Sequence, residues 1–283
     1  MTQVMTPDFE TEEFSAPTQE RPPYAQIINP KFSKKGILPY GFALTKTNAE
    51  ACSFSPPEGW DLIEHEFASK SVEKIHMSLH PRLVILARTP VYVLAREGKT
   101  FLGELKSITD YWENKNNYIT KNYAWCFILD DKNKPCHTIP LLISSTGSSG
   151  ASFNLAWLQY ANPKKQQLRG GFCRDMEVLY AKARKQETKD MGELFHAHCV
   201  YQPVFEADER GTPPNTALVA AVSKYQPAAI DLLIPNGSDL SNLIKVSRES
   251  VKDWRPRAAK QETTVAIQPN DEVSSEYDEF PPY

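Results

Sequence analysis

The sequence predicts a mainly β protein with a few short helices: an OB-like barrel or sandwich core set between disordered acidic termini. Three observations predict it. Runs of β-branched and aromatic residues recur, among them Leu83–Ala87, Val91–Ala95 and Tyr123–Leu129, and such runs suit a pleated, half-buried surface. The chain holds 22 prolines, which break long helices and punctuate strands. The βα alternation of a parallel-sheet enzyme is absent from the pattern.

Residues 1–22 read as a disordered acidic segment, because their apolar anchors are too scattered to build a core. The β-rich body spans 23–254 and starts at Pro23-Tyr24-Ala25-Gln26-Ile27-Ile28. Thr47–Ala51 opens a short helix. The β runs at 83–87 and 91–95 are separated by Arg88-Thr89-Pro90. The strand at Tyr123–Leu129 leads through the turn signal Asp130-Asp131-Lys132-Asn133-Lys134-Pro135 into His137–Ile143, and the two form a hairpin. Ser144–Gly150 reads as a flexible connection and Ser152–Tyr160 as a helix with Trp157 on its apolar face. Further strands are expected at Cys173–Ala183, Phe195–Phe205 and Ala217–Tyr225, with mobile loops at Lys185–Asp190 and Glu206–Asn215. Residues 255–283 continue as a linker and tail. No repeat of fixed period is present.

Charge is sorted along this chain. Residues 1–20 hold five acids and residues 261–283 hold six, with no Lys or Arg in either stretch. All 32 basic residues lie in 21–260, against the remaining 24 of 35 acids, so the middle is formally +8 while the whole chain is −3. A basic body with acidic ends points to a polyanion-binding surface that its own tails shield. No run approaches the ~18 apolar residues of a membrane span, and the N-terminus has neither the basic nor the apolar region of a secretory signal. The expected location is the cytoplasm. Five widely spaced cysteines (Cys52, Cys126, Cys136, Cys173, Cys199) form no CxxC pair and read as reduced and mostly buried.

Trp112, Tyr118, Tyr123 and Trp125 fall among Lys115 and Lys121. Aromatic faces stack on unpaired bases while Lys and Arg track phosphates. Lys164, Lys165, Arg169 and Arg174 form a second basic stretch. Lys182, Arg184 and Lys185 follow Tyr180 along an expected strand. Strand-borne aromatics with loop-borne lysines are how an OB-type barrel meets single strands. The plain alternative is core aromatics beside solvated lysines.

The chain ends Tyr277-Asp278-Glu279-Phe280-Pro281-Pro282-Tyr283. Acids interleaved with aromatics suit a Lys/Arg cluster beside an apolar pocket on a partner protein. This ending resembles the acidic C-terminal tip of bacterial and phage single-stranded DNA-binding proteins, with two prolines and a final Tyr as departures. The resemblance covers about ten residues. It implies that the tip recruits replication or repair enzymes and competes with DNA for the basic groove. The body, with YAQIINP and GILPYGFALT, resembles uncharacterised proteins of cyanobacterial plasmids and phages.

Chemistry beyond binding has thin support. His196-Ala197-His198 would put two imidazoles on one face of a strand and Cys199 on the other. His76 and His80 are i, i+4. Neither HExxH nor paired CxxC occurs. Ser144–Gly150 lacks the Walker A ending and the GxSxG nucleophile elbow. The expectation is therefore a non-enzymatic single-stranded nucleic-acid binder, DNA favoured over RNA, with no cofactor, no metal and no membrane partner. It would act in replication, recombination or repair, recruit partner proteins through its tail, and could oligomerise. Three rivals stay open: a mobile-element recombination or integration accessory protein on duplex DNA, a metal-assisted hydrolase using His196 and His198, and a structural protein such as a virion component.

Overall fold

The computed structural model describes residues 22–33, 36–67, 70–158, 160–162, 167–169, 171–212 and 215–256. The expected docking tail, Tyr277–Tyr283, and all but one residue of the expected acidic segment 1–22 lie outside them. The chain opens with β1 (Tyr24–Ile28), the small hairpin β2 (Phe32–Ser33) and β3 (Gly36–Ile37), then β4 (Gly41–Thr45). Helix α1 (Lys46–Ala51) follows, its N-terminus capped by the Thr45 hydroxyl accepting the Asn48 N–H. Next come β5 (Asp61–Glu66), β6 (Val72–Ser78), β7 (Leu83–Arg88), β8 (Tyr92–Ala95) and β9 (Phe101–Glu104). After α2 (Ile108–Asn114) the chain forms β10 (Tyr118–Ile128), β11 (Leu141–Thr146) and α3 (Gly147–Trp157). The rest is β12 (Tyr160–Asn162), β13 (Gln167–Arg169), α4 (Phe172–Ala183), α5 (Glu193–His196), β14 (Pro203–Thr212), β15 (Asn215–Tyr225), a 3-10 turn (Ile230–Leu232) and α6 (Asp239–Val251).

Nine strands make one sheet in the order β5-β6-β4-β1-β11-β10-β8-β9, with β7 also paired to β10. The β1–β11 pair is parallel and the other pairs are antiparallel. The mainly β class holds, and the pairings among the described residues leave the sheet open rather than closed into a barrel.

Strand β10, YITKNYAWCFI, is rich in β-branched and aromatic residues and has the longest set of partners. One side pairs with β11, from Lys121↔Thr146 to Cys126↔Leu141, as the expected hairpin. The other side pairs with β8 through Tyr118–Lys121 and with β7 through Ala124–Ile128. Thr89 bridges the gap between them. Its N–H donates to the Tyr123 carbonyl at 2.9 Å, and its Oγ1 accepts the Tyr123 N–H at 3.1 Å.

Helix α3 begins directly where β11 ends, so the expected flexible connection at 144–150 is strand and then helix. Gly150 makes this fold-back possible. A Cβ there would sit 2.8 Å from the Ser145 Cβ, closer than two carbons pack. Phe153 and Trp157 of α3 enter the core with Leu83–Ala87, Ala124–Leu129 and Tyr201. The Tyr201 hydroxyl donates to the Phe153 carbonyl at 3.3 Å. All five cysteines are buried thiols, as expected.

Three expected strands and loops are corrected. Cys173–Ala183 is helical, not extended: Phe172, Cys173, Met176, Glu177 and Ala181 are buried at helical spacing along α4. Phe195–Phe205 is the one-turn helix α5 and then two isolated bridges, Cys199↔Leu233 and Leu83↔Tyr201, before β14 begins at Pro203. Glu206–Thr212 is not loop. It is the outer half of a long hairpin in which Glu206 faces Ala221 and Thr212 faces Asn215, and its polar side chains at Glu206, Asp208, Glu209 and Arg210 are at least partly exposed. Ala217–Tyr225 is strand as expected, within β15. His76 lies in β6 and His80 in the turn after it, so the two share no helix face.

The turn joining β10 to β11 is fixed by a buried imidazole. His137 is 4% exposed, stacks on Phe127, accepts the Ile128 N–H on Nε2 at 2.8 Å and donates from Nδ1 to the Ile139 carbonyl at 2.6 Å. Burial lowers its pKa from 6.5 to about 4. A protonated Nε2 could not accept the Ile128 N–H. The unfolded chain therefore binds a proton that the folded chain refuses between pH 6.5 and 4. Stability should be full above pH 6.5 and fall by on the order of 3 kcal/mol on acidification to pH 4. Urea unfolding across that window should show this loss, and His137→Asn should flatten it.

Candidate nucleic-acid interface

Alternation along β10 decides which of the expected residues meet. Lys121, Tyr123 and Trp125 point to one face. Tyr118, Thr120, Asn122 and Ala124 point to the other, where Asn122 accepts the Nδ2 of Asn154 on α3 at 3.2 Å. The first face is aromatic and basic. The Lys121 ammonium lies 5.3 Å from the centre of the Tyr123 ring. Trp254, just beyond α6, meets Tyr123 edge-on at 5.4 Å and Trp125 at 5.6 Å. Tyr92, opposite Lys121 in register, lies 6.3 Å from Tyr123 and 5.4 Å from Phe101. The result is a continuous band: Phe101, Tyr92, Tyr123, Trp254, Trp125.

Exposure divides this band into floor and contact surface. Trp125 is 6% exposed and Tyr92 5%, and each keeps a buried polar hydrogen without a partner among the described residues, the indole N–H and the phenol O–H. Burial raises the Tyr92 pKa, while nearby Arg255 pulls it the other way. Lys121 and Tyr123 are half-exposed and form the accessible part. Beside Lys121 a shallow notch opens at Thr146 and Gly147, where α3 begins without a side-chain cap. Trp254, Tyr92, Phe101 and Arg255 are members the sequence reading missed. Trp254 was in view only as the last residue of the body.

The other expected residues lie elsewhere. Trp112 and Lys115 pair at the end of α2, with Nζ 5.4 Å from the ring centre. Tyr118 is on the opposite face of β10, and its carbonyl accepts from the Arg96 guanidinium at 3.0 Å. Lys182, Arg184 and Lys185 end helix α4 rather than alternate along a strand, and Arg184 stacks on Tyr180 at 5.6 Å. Arg174 does not project freely from a basic stretch. It is committed to Glu177 at 2.8 Å and Asp190 at 2.9 Å. Arg169 is described only as backbone of β13, and Lys164 and Lys165 lie outside the described residues.

His196 and His198 do not share a face. His196 Nε2 meets the Glu177 carboxylate at 2.8 Å, whereas His198 binds the Leu194 carbonyl through Nδ1 at 2.7 Å and Ser241 Oγ through Nε2 at 3.0 Å. Among the described residues no group of three His, Cys, Asp or Glu converges as metal ligands. No helix among them is long and apolar enough to cross a membrane. Glu177, 4% exposed, is the hub of this region. Burial pushes its pKa up, but hydrogen bonds from Arg174, the Met191 N–H and His196 outweigh that and hold it below the ordinary value.

Fold and site together define a mixed-sheet, mainly β protein with an aromatic and basic strip across its longest central strand. The chain matches the family described as Domain of unknown function (DUF5895) over residues 19–266, and it belongs to that family. It is similar to Uncharacterized protein 254L of Invertebrate iridescent virus 6, with 20% identity over 207 residues. That match covers 69% of this chain and 58% of the viral protein, so the chain spans less than two thirds of that relative's length. No solved structure matches.

Removing the Glu177 carboxylate would leave Arg174 and His196 without their shared buried acceptor. Glu177→Ala should cost about 3–5 kcal/mol, read as a lowered midpoint in denaturant unfolding. Glu177→Gln should cost less, because it keeps an acceptor for the Met191 N–H.

Proposed function

We propose that this protein is a non-enzymatic binder of single-stranded nucleic acid, DNA favoured over RNA, acting in replication, recombination or repair. The observation that carries the reading is the half-exposed Tyr123 ring on β10, with Lys121 over it and Trp254 and Trp125 behind it. An aromatic face backed by a rigid floor and flanked by a cation is the element that stacks a base and neutralises its phosphate. In this reading β8, β10 and β11 serve as the platform that an OB-type barrel would supply, Lys121 and Arg255 follow the backbone, and the open N-terminus of α3 beside Lys121 accepts a phosphate. The Trp112–Lys115 and Tyr180–Arg184 pairs offer the same chemistry at further points. The acidic, aromatic tail Tyr277–Tyr283 competes for this surface when nucleic acid is absent and recruits replication or repair proteins when it is bound. No membrane partner and no cofactor enter the reading, the location is cytoplasmic, and self-association is compatible with it.

Fluorescence anisotropy with labelled single-stranded and duplex oligonucleotides of equal length tests it across a salt series. Single strands should bind more tightly, and binding should weaken steeply with salt. Tyr123→Ala should cost about 1–3 kcal/mol of affinity, the worth of one stacked base. Lys121→Ala should reduce the slope of log affinity against log salt by about 0.7. Deleting 271–283 should tighten binding. Preference for duplex would favour the recombination accessory reading, and no binding at low salt would remove nucleic acid from the account.

A further inference from the structure

We propose that the cavity between β7, α3 and α5 is a binding site for a small oxyanion, a phosphate or carboxylate group, held by Arg88 and Trp157. Arg88 ends β7 in register with Ala124, so it lies on the face of β10 opposite Lys121 and Tyr123. The site is separate from the nucleic-acid surface and stands or falls without it.

The first argument is an unbalanced guanidinium. A guanidinium carries five N–H donors. That of Arg88 lies over Trp157, 5.2 Å from the ring centre, and its one hydrogen bond among the described residues is a long 3.5 Å contact to Asn154 Oδ1. Among the described residues no carboxylate forms an ion pair with it. Burial lowers its pKa to about 10, only partly offset by the fields of Cys173 and Glu193. The neighbouring arginines differ. Arg174 is held by Glu177 and Asp190, and Arg248 by Glu193 at 2.7 Å.

The second argument is the Trp157 side chain. It is 5% exposed, and its buried indole N–H has no hydrogen-bond partner among the described residues. A buried donor left unmade is costly and calls for an acceptor.

The third is space. Arg88, Trp157, His196 and Glu193 line a cavity with Ile85 and Leu158. It offers about 40 Å³ to the centres of water-sized groups, where a single water needs roughly 10–15 Å³. That admits the head of a phosphate or carboxylate and is too small for a nucleoside. The chemistry fits the same class. A guanidinium pairs with such oxyanions through parallel N–H bonds, and an indole N–H can only donate. Glu193, at the cavity wall, has its charge occupied by Arg248. His196 carries its Nε2 hydrogen toward Glu177, which leaves Nδ1 as the ring nitrogen not engaged there.

The test is calorimetric titration and thermal unfolding of the full chain with inorganic phosphate and, separately, with acetate, at ionic strength matched by sodium chloride. At least one anion should bind saturably and raise the unfolding midpoint with concentration. Arg88→Met should weaken that binding about tenfold or more, because it removes charge-assisted bonds. Trp157→Phe keeps the ring and loses the N–H, so it should weaken binding about fivefold, and it decides the matter if Arg88→Met does not fold. Lys74→Ala, at an exposed lysine on β6, should leave the binding unchanged. Phosphate alone identifies a phosphate monoester site, acetate alone a carboxylate site, and both a general oxyanion site. Absence of saturable binding, or binding that survives both cavity variants, overturns the proposal.

Discussion

Pro90 has no N–H to give, so the path from β7 to β8 cannot pass β10 as one regular ladder. Thr89 makes up the loss by exchanging both of its polar groups with the backbone of Tyr123. With that exchange in place, β10 keeps continuous hydrogen bonding while its partner changes from β8 to β7. The two partners then diverge. β8 carries Tyr92 outward and pairs on its far side with β9, which brings Phe101 to the band. β7 turns inward, meets Tyr201 at Leu83, and delivers Arg88 to α3 and α5. Two residues further along, a register shift between Trp125 and Cys126 leaves Leu86 of β7 as an extra residue within the ladder, and such bulges sharpen local twist and re-aim side chains. Both candidate surfaces descend from this one splice.

The helical layer shows a contrast in how charge is handled. Glu177 is almost wholly buried, yet it has three donors, two of them from side chains four or more bonds out on α4 and α5. Its burial is repaid by neighbours from three segments, so the α4–α5 loop is tied to the helix that precedes it. Arg88 is partly buried against the same layer, and among the described residues no acid forms an ion pair with it. Low dielectric strengthens a satisfied network and penalises an unsatisfied one, so the two groups mark opposite regimes a few side chains apart. The first is what a structural ion cluster needs. The second is what a ligand-dependent one needs, because the missing counter-charge arrives with the ligand.

Strands were legible in the sequence where residue type and punctuation agreed. Leu83–Ala87, Val91–Ala95 and the 123–143 hairpin are β-rich runs bounded by Pro or by an Asp-Asp turn, and local preference there coincides with tertiary pairing. Helix α4 was not legible as a helix because Cys173, Val178, Leu179 and Tyr180 suggest strand, while its helical period rests on Glu177, a charged residue in a core position. The hairpin arm at 206–212 was misread for the opposite reason: its sequence, Glu206-Ala207-Asp208-Glu209-Arg210-Gly211-Thr212, has no apolar alternation to show. At the site, Lys121, Tyr123 and Trp125 could be grouped because they are near neighbours on one strand. Trp254, Tyr92 and Phe101 join them only through the fold, and composition near position 123 gives no sign of them. Arg88 looked like part of an Arg-Thr-Pro turn; what distinguishes it is the acid it lacks, and a missing partner is a property of three-dimensional neighbourhood alone.

The alternation of β10 also fixes how the two surfaces relate. Tyr123 and Ala124 are adjacent in sequence and point to opposite faces, the first to the aromatic band and the second to the register position of Arg88. The surfaces share a backbone and one side chain, Asn154, which lines the notch beside Lys121 and accepts from Arg88. Apart from Asn154, a ligand on one face reaches the other by moving the β7–β10 ladder, and that ladder is anchored by the fully buried Leu83, Val84, Phe127 and Ile128. Close-packed interiors shift between discrete arrangements rather than deform smoothly, and no second arrangement of these four residues is implied by their packing. The physical expectation is therefore two surfaces on one sheet, joined at Asn154. The aromatic band is a surface suited to a polymer that slides across it, while the Arg88 cavity is a small recess suited to a single compact charge.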